Sequence, residues 1–459
     1  MTIKTIPVIT ERVKFINRTD LSITIVIIMS LDERKEVLKK IIRLLHEGLS
    51  VEELKEKYKE VLSNISPLEI PLIEQELVRE GLSVREILSL CDLHVALFRE
   101  SLAERELRGI PEGHPLDLLL KENEKLLKLA EVLGVYAQAL KKAENKNDIV
   151  NSISTVLSEL KGIRVHYRKN QMLIFPYLER RGITAVPRVL WGREDQVIVK
   201  MRELGEAISE FREGNLEKAN EIAERSEEIS KEVIDLIFRE NKILYPACWA
   251  LFSEGEWAAV DEIARDMGYI VEYKITWTAK AEPVYPYQLK PEMSEEKLAS
   301  LPPEMRTLAY SSTPDDYNVK KENDIEMRTG FLNVEELESI LRNLPVEITF
   351  ADENDRVRFY TESSMRGGFV RTKTIIGRRL NFCHPPRLEN YVMLNVGKIK
   401  AGEFPYREFW TRTGDRILRV IIAGVRDRSG KYLGTLEVVE DLTDVIKNPD
   451  EIKSKIMVL

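Results

Sequence analysis

The sequence predicts a multidomain protein in which two all-α parts are followed by an α+β domain. Three observations support this fold class. Apolar residues recur at helical spacing from residue 31 to about residue 273, proline and charged residues dominate residues 274–328, and a period of two prevails from Phe331 onward. At 459 residues, the chain also has the length of about three domains.

Composition restricts the functions that the chain can have. Hydrophobic residues make up 43% and charged residues 32%, so each part can bury a core. With 69 basic and 77 acidic residues the net charge is −8, which disfavours a nucleic-acid partner bound through a broad basic face. Three cysteines cannot form a disulfide framework. Any metal site must draw on five histidines, namely His46, His94, His114, His166 and His384.

Residues 1–28 are predicted to be an N-terminal extension, because they lack helical periodicity. The apolar run at residues 21–29 is much shorter than the roughly 20 residues that span a bilayer, and no small-residue cleavage site follows it. We therefore expect a cytoplasmic protein with no membrane partner. Two alternatives are a start codon placed too early, with Met29 as the true first residue, and a membrane or partner anchor.

Residues 29–108 are predicted to form a compact module of four helices. Each helix follows a serine whose side chain can cap free backbone N–H groups. These serines are Ser30, Ser50, Ser66 and Ser83. Glycine and proline within residues 108–113 mark the end of the module.

Residues 109–273 are predicted to form an antiparallel four-helix bundle, because four long amphipathic segments follow one another with short connections. The apolar positions of the first segment are Leu116, Leu120, Leu127, Ala130, Leu133 and Leu140. Residues 274–328 are then predicted to be an extended linker.

Residues 329–446 are predicted to form the α+β domain, with residues 447–459 as a C-terminal tail. A short amphipathic helix, VEELESILRNL, precedes a hairpin-like EITFADENDRVRFY. Three further strand-like segments follow, which are FPYREFWTR, DRILRVIIAGVR and KYLGTLEVVED. Five strands with helices inserted between the second and the third are typical of a sensor-like domain.

Three groups of motifs resemble known families. LCDLHVALFRESL, which follows LVREGLSVREI, resembles the domain of unknown function 438. GHPLDLLLKEN, HYRKNQMLIFPYLERRGITAVPRVLWG and IFRENKILYPACWALFSEGEW resemble a hemerythrin-like (HHE) cation-binding bundle. LPVEITFADENDRVRFYT, IIGRRLNFCHPP and RSGKYLGTLEVVEDLT resemble the PAS domains that accompany it. The resemblance implies a prokaryotic sensor or signalling protein, and the charge-rich, glutamine-poor composition indicates a thermophile, expected to be archaeal.

The hemerythrin resemblance implies candidate metal ligands. Such bundles hold two irons with histidines on all four helices, and ligands four residues apart share one inward face. His114 and His166 match histidines of the first two helices, and Glu240 matches the carboxylate of the fourth. Glu194 and Asp195 stand where the third helix would supply a histidine.

Two other positions depart from this pattern. Asn170 replaces a carboxylate of the second helix, and Leu236 replaces a histidine of the fourth. The remaining residues could bind one metal, such as iron, manganese or zinc, but cannot reproduce the complete oxygen-carrying centre. The alternative is a degenerate site whose polar groups are paired in a buried network. His114, which precedes Pro115, could also be a simple helix-start residue.

The PAS-like domain is expected to enclose a small-ligand cavity. His384, on the proline-terminated segment CHPP, could ligate a haem iron there. The alternatives are another small ligand, or a histidine that only hydrogen-bonds a backbone carbonyl. The basic residues between Arg356 and Arg379 could attract an anionic ligand or an acidic partner, or form a solvated face.

The remaining candidates indicate no catalysis. Cys91 and His94 are expected to share a packed helix face, and His46 to lie at a helix end. The sequence has no glycine-rich phosphate loop, no GxSxG and no HExxH, so we expect no enzyme. We predict a sensor of a small ligand, a redox state or a gas, with output through an unknown protein partner or a homodimer. The alternatives are a metal-dependent redox or scavenging protein and a metal-free scaffold.

Overall fold

The chain divides into two compact units, Met1–Tyr317 and Asn318–Leu459. The described part of the first unit is helical and the second is α+β, so the predicted fold class is confirmed. The predictions on residues 1–28, on Cys91 and His94, and on most of the third and fourth module helices lie outside the described residues. The computed structural model describes residues 31–63, 107–290, 312–362 and 369–457, together with residues 73, 75–77, 80–81, 298–299, 301 and 306.

The N-terminal module contains α1 (Leu31–His46), α2 (Val51–Lys57) and α3 (Lys59–Ser63). Ser50 caps α2: its hydroxyl accepts the Glu53 N–H at 3.3 Å, while the Glu53 carboxylate accepts the Ser50 N–H at 3.0 Å. Two free donors at the helix start are thereby satisfied. The apolar core of the module includes two residues of the bundle, Val189 and Ile243, and consists otherwise of Leu38, Ile41, Leu54, Leu62, Ile73 and Leu77.

The bundle is built from long helices that pack side by side. Its first helix starts at a proline, whose fixed φ and missing N–H suit the first helical position. The described helices are α4 (Pro115–Lys142), α5 (Lys146–Leu160), α6 (Ile163–Lys169), α7 (Phe175–Arg180), α8 (Ala185–Arg212), α9 (Lys218–Arg239), α10 (Tyr245–Leu251) and α11 (Glu254–Met267). Helix α9 packs along α4 and α8, and α5 packs along α4.

Two π-helical segments interrupt the bundle helices. Asn170–Ile174 joins α6 to α7, and Glu240–Leu244 joins α9 to α10. In each, the N–H five residues after the first residue donates to that residue's carbonyl. Pro176 and Pro246 stand two residues after the segments end, and the wider π turn accommodates a residue that has no N–H and crowds the preceding turn. The first residue of each segment is fully buried, so both segments aim a polar side chain at the bundle interior.

Residues 274–290 of the predicted linker are largely extended but lie on the bundle. The Thr276 hydroxyl donates to the Glu112 carbonyl at 2.8 Å, and the Val284 N–H donates to the Gly255 carbonyl at 2.9 Å. A Cβ at Gly255 would lie 2.8 Å from the carbonyl oxygen of Glu282, so only glycine permits this close approach. We call the described residues 268–290 the strap.

The second unit opens with a short hairpin that the sequence did not indicate, formed by β1 (Ile325–Met327) and β2 (Gly330–Leu332). Helix α12 (Val334–Asn343) follows. An antiparallel five-stranded sheet then has the spatial order β4-β3-β7-β6-β5. Its strands are β3 (Glu347–Asp352), β4 (Val357–Tyr360), β5 (Tyr406–Thr413), β6 (Arg416–Arg426) and β7 (Tyr432–Asp441).

One face of this sheet packs against α13 (Pro386–Ala401), which lies between β4 and β5 in the sequence. Ile399 of α13 forms a core with Val420 and Val439, which are paired across β6 and β7. Glu347 of β3 is paired with Val439, so its side chain lies on the same face. Two short helices, α14 (Thr443–Lys447) and α15 (Pro449–Ser454), follow the sheet.

Candidate functional site

A connected set of polar side chains lies inside the bundle, and none of its members is more than 1% exposed. We call this set the core network. Because buried charges are costly unless they are paired, the contacts within the network determine what it can hold. Its members are Glu122, Asn123, His166, Lys169, Asn170, Glu194, Glu240 and Tyr245.

His166 lies between two carboxylates. Its Nδ1 is 2.8 Å from Oε2 of Glu122 on α4, and its Nε2 is 2.9 Å from Oε2 of Glu240 in the second π segment. Burial disfavours the charged imidazolium, but Glu240 and Glu122 outweigh it and raise the pKa of His166 to about 9. At neutral pH, His166 is therefore a cation that donates a hydrogen bond to each carboxylate.

Lys169 supplies a second buried cation, although burial lowers its pKa below the usual value and Glu122 offsets only part of this shift. Its Nζ donates to Oε1 of Glu122 at 2.5 Å and to the carbonyl of Gly268 at 2.8 Å, and it lies 4.2 Å from the centre of the Tyr269 ring. The Ile270 N–H also donates to Oε1 of Glu122, at 2.8 Å. Burial by itself would raise the pKa of Glu122, but its hydrogen-bonded cations lower it below the usual value. Glu122 is therefore ionised.

Glu240 is held by neutral donors in addition to His166. The Asn123 amide donates to its Oε2 at 2.8 Å. The Tyr245 hydroxyl lies 3.3 Å from the same oxygen and 3.2 Å from Oδ1 of Asn170. Burial, followed by the charge of Glu240, raises the pKa of Tyr245 well above its usual value, so this hydroxyl stays protonated.

Glu194 on α8 is the network's third carboxyl group. It accepts a hydrogen bond from the Gln171 amide at 2.7 Å, while its Oε1 has no partner among the described residues. Burial, followed by the charge of Glu240, raises the pKa of Glu194 to about 8. A neutral Glu194 leaves two anions, Glu122 and Glu240, balanced by two cations, His166 and Lys169.

The structure brings together three of the five predicted metal ligands, which are His166, Glu194 and Glu240. Asp195 is exposed, because it follows the inward-facing Glu194 by one residue and so points about 100° away around the helix. Of the two alternatives predicted for the third helix, Glu194 therefore faces the network and Asp195 faces away from it.

His114 is also remote from the network. It precedes α4, and its Nδ1 accepts the Leu116 N–H at 3.1 Å, so it caps the helix as the alternative prediction described. Eight residues of helix, or about 12 Å of axial rise, separate it from Glu122. Its ring packs against three tryptophans, Trp249, Trp257 and Trp277. Burial lowers the pKa of His114 to about 4.

The donor groups of the network do not fit a hemerythrin-type metal centre. Both ring nitrogens of His166 are engaged by carboxylates, and the Lys169 ammonium lies on Glu122. Among the described residues, no group of three or more His, Cys, Asp or Glu side chains is arranged to hold a metal ion. The charged groups Glu122, His166, Lys169 and Glu240 are instead hydrogen-bonded to one another.

Sequence reasoning missed Glu122 and Lys169. The predicted apolar stripe of the first helix ran through Leu120 and Leu127, whereas the structure buries Leu119 and Leu126. A stripe shifted by one residue would have placed Glu122 inward. The periodicity did not indicate that Lys169 is buried, and a lysine is rarely expected at a buried position.

In the second unit, His384 is half-buried beside Cys383. Its Nδ1 donates to the Leu380 carbonyl at 2.9 Å, which is the backbone hydrogen bond that the simpler alternative predicted. This bond fixes the tautomer in which Nε2 carries the lone pair.

The basic residues between Arg356 and Arg379 were predicted to form either a solvated face or an anion site, and Arg371 does neither. Its guanidinium donates to Thr349 Oγ1 at 2.6 Å, to Glu437 Oε1 at 2.7 Å and to Glu347 Oε2. The side chains of Arg371 and Glu347 are each 8% exposed. Thr349 and Glu437 are paired across β3 and β7, so this charged cluster lies on the sheet face that packs against α13.

Comparisons with known proteins agree with this architecture. Family models match residues 38–104 as a family of unknown function (DUF438), residues 114–248 as a hemerythrin HHE cation binding domain, and residues 337–443 as a PAS domain. No curated protein matches the chain. The crystal structure of a C-terminal domain from Streptococcus mutans is 30% identical and covers 27% of this chain and 96% of its own, with a TM-score of 0.26.

None of the helices in the described ranges is both long and apolar enough to cross a membrane.

Proposed function

We propose that this chain is a sensor or signalling protein without catalytic activity, because it carries a DUF438 segment, a hemerythrin-like HHE domain and a PAS domain. PAS and hemerythrin-like domains together support a sensory or signalling role at a general level. The finer proposal is that the PAS domain senses a small ligand, a redox state or a gas, and that the signal leaves through a partner.

The observation that carries this proposal is the charged cluster of Arg371, Glu347 and Glu437 on the inner sheet face. Ligand pockets combine apolar walls with a few buried polar groups that orient the ligand. The cluster has this composition, because the apolar Val439 is paired directly with Glu347. A small polar ligand could exchange hydrogen bonds with Arg371 or with a carboxylate. His384 favours haem as a second candidate, because its Nε2 keeps a lone pair.

Native mass spectrometry and visible spectra of the full-length protein, purified without added ligand, test both candidates. A co-purifying small molecule that is lost in the folded double variant Arg371→Met with Glu347→Gln, but kept in the exposed-site control Arg358→Met, would support the polar ligand. A Soret band that is lost in His384→Ala would support haem. If neither a bound molecule nor a chromophore exceeds trace level, ligand sensing by the PAS domain is contradicted.

Output through self-association is the second part of the proposal. Helix α12 has no buried residue, and its apolar Val334 and Ile340 are 59% and 47% exposed. We propose that this helix pairs with a second copy or with a partner protein. Light scattering after size exclusion should show a dimer that Ile340→Lys converts to monomer, and a monomeric wild type would leave only the partner route.

A metal-dependent redox or scavenging protein is the alternative function. Two buried carboxyl oxygens without a partner among the described residues, Oε1 of Glu194 and Oε1 of Glu240, are the observation in its favour. Metal analysis of the purified chain tests this alternative, and a bundle without bound metal would contradict it.

A further inference from the structure

The charged carboxylates of the core network already have cationic partners from the chain itself. Glu122 contacts Lys169 through Oε1 and His166 through Oε2. Glu240 contacts the opposite edge of the same imidazole. The four charges thus form one continuous row of alternating sign, Lys169–Glu122–His166–Glu240.

The surroundings of the Lys169 ammonium are those of a cation site. A carboxylate oxygen, the Gly268 carbonyl and the face of the Tyr269 ring approach it at 2.5, 2.8 and 4.2 Å. An ammonium donates up to three hydrogen bonds and accepts none, and an aromatic face attracts it electrostatically. The cation in this site is therefore the ammonium group of the chain's own Lys169.

His166 is not available as a metal ligand in this arrangement. A metal binds the lone pair of one ring nitrogen, while the other nitrogen keeps its hydrogen and bonds a neighbouring acceptor. Here each ring nitrogen faces a carboxylate, at 2.8 and 2.9 Å, so both positions call for hydrogens. A metal would have to displace one of these two carboxylate contacts.

We propose that Lys169 and His166 hold the buried carboxylates Glu122 and Glu240 in the place of a bound metal, so that these two carboxylates are neutralised without one. This inference disagrees with the cation-binding role that the HHE resemblance implies. It is independent of the proposed ligand sensing, because it concerns only the bundle.

The test combines metal analysis with unfolding of the full-length protein. The wild type is incubated in turn with Fe²⁺, Mn²⁺ and Zn²⁺, gel-filtered and analysed for metal. We expect retention far below one ion per chain for all three ions. Stoichiometric retention that is lost in Glu240→Ala would overturn the proposal.

Variants test whether Lys169 is required as a cation. Lys169→Met keeps most of the side-chain length but leaves Glu122 without its ammonium, so the unfolding temperature should fall by several degrees. The matched control is Lys128→Met at an exposed position of the same bundle, which should unfold like the wild type. Equal unfolding temperatures for Lys169→Met and Lys128→Met would contradict the proposal.

A double variant keeps the test decisive if Lys169→Met fails to fold. Glu122→Gln in the Lys169→Met background removes the uncompensated charge and should recover a folded protein with part of the lost thermal stability. If the double variant is no more stable than Lys169→Met, Lys169 acts by packing and the proposed replacement of a metal by this ammonium is wrong.

Discussion

The side chain of Gln75 caps the bundle helix that begins after Thr184. Its Oε1 accepts the backbone N–H groups of Thr184 and Ala185 at 3.0 and 3.1 Å, while the Thr184 side chain makes no capping bond. That helix, α8, also carries Val189, which is part of the module core, and Glu194, which is part of the core network. The N-terminal module is therefore attached to a helix that supplies the network.

We predict that Gln75→Leu destabilises the first unit by about 1 kcal/mol. Leucine fills a similar volume but cannot accept the two N–H groups at the start of α8. Urea unfolding of the full-length chain measures the loss, with the exposed Gln196→Leu as control. Hydrogen exchange should show faster exchange at the amides of Thr184 and Ala185, and unchanged exchange there would contradict the capping role.

We predict that Glu194→Gln reduces the loss of stability between about pH 4.5 and about pH 8. The folded-state pKa of Glu194 is raised from 4.5 to about 8, so the folded state keeps a proton that the unfolded state releases, and stability falls as pH rises through this window. The effect is at most ~1.4 kcal/mol for each pH unit. Glutamine stays neutral and removes this dependence.

His166 contributes in the same direction. Its pKa is raised from 6.5 to about 9, so its stabilisation is fully present below the lower value and is lost as pH rises through the higher one. Since both proteins contain His166, the difference between wild type and Glu194→Gln isolates Glu194. Urea unfolding at closely spaced pH values measures this difference, and parallel stability curves would contradict the buried, protonated Glu194.

Local signals predicted most of the fold. The capping serine before α2, Pro115 at the start of α4 and the period of two in the last hundred or so residues are short-range features, and the structure uses each of them. The strap was predicted only as an extended connection. Its attachment depends on contacts such as Thr276 with Glu112, which are far apart in the sequence and leave no periodic trace.

The candidate site was predicted less completely, for two physical reasons. Helical periodicity assumes a constant 3.6 residues per turn, whereas each π segment adds a residue, so a position beyond it, such as Tyr245, no longer follows the predicted stripe. A one-residue error also rotates a helical position by about 100°, which is why Glu122 was missed and Asp195 was included. Only the position of Glu122, the carboxylate that Lys169 contacts, indicates that Lys169 belongs to the core network.

We predict that Arg371→Met destabilises the PAS domain by about 3–5 kcal/mol, because it leaves Glu347 buried without a cation. Hydrogen exchange along β3 and thermal unfolding of the full chain measure the effect. Arg358→Met, at an exposed position of β4, is the control and should change stability by less than about 0.5 kcal/mol.

A second change separates charge from packing in this cluster. Adding Glu347→Gln to Arg371→Met removes the unpaired charge, and the double variant should be more stable than Arg371→Met alone. A double variant that is no more stable would show that the loss of stability in Arg371→Met does not come from the unpaired charge of Glu347.

Gly113 permits the close approach of the strap, and we predict that Gly113→Ala destabilises the bundle by more than 2 kcal/mol. Its φ is +77°, and a Cβ there would lie 2.1 Å from the Thr276 hydroxyl oxygen, so alanine adds a collision to the backbone strain. Gly109→Ala is a matched control, because Gly109 has a φ of +82° with nothing within 4 Å of its Cβ position. It should cost only the strain of about 1–2 kcal/mol. Thermal unfolding compares the two variants, and the difference between their losses of stability measures the contact of Thr276 with residue 113. Equal losses would mean that the strap does not contact Gly113 closely.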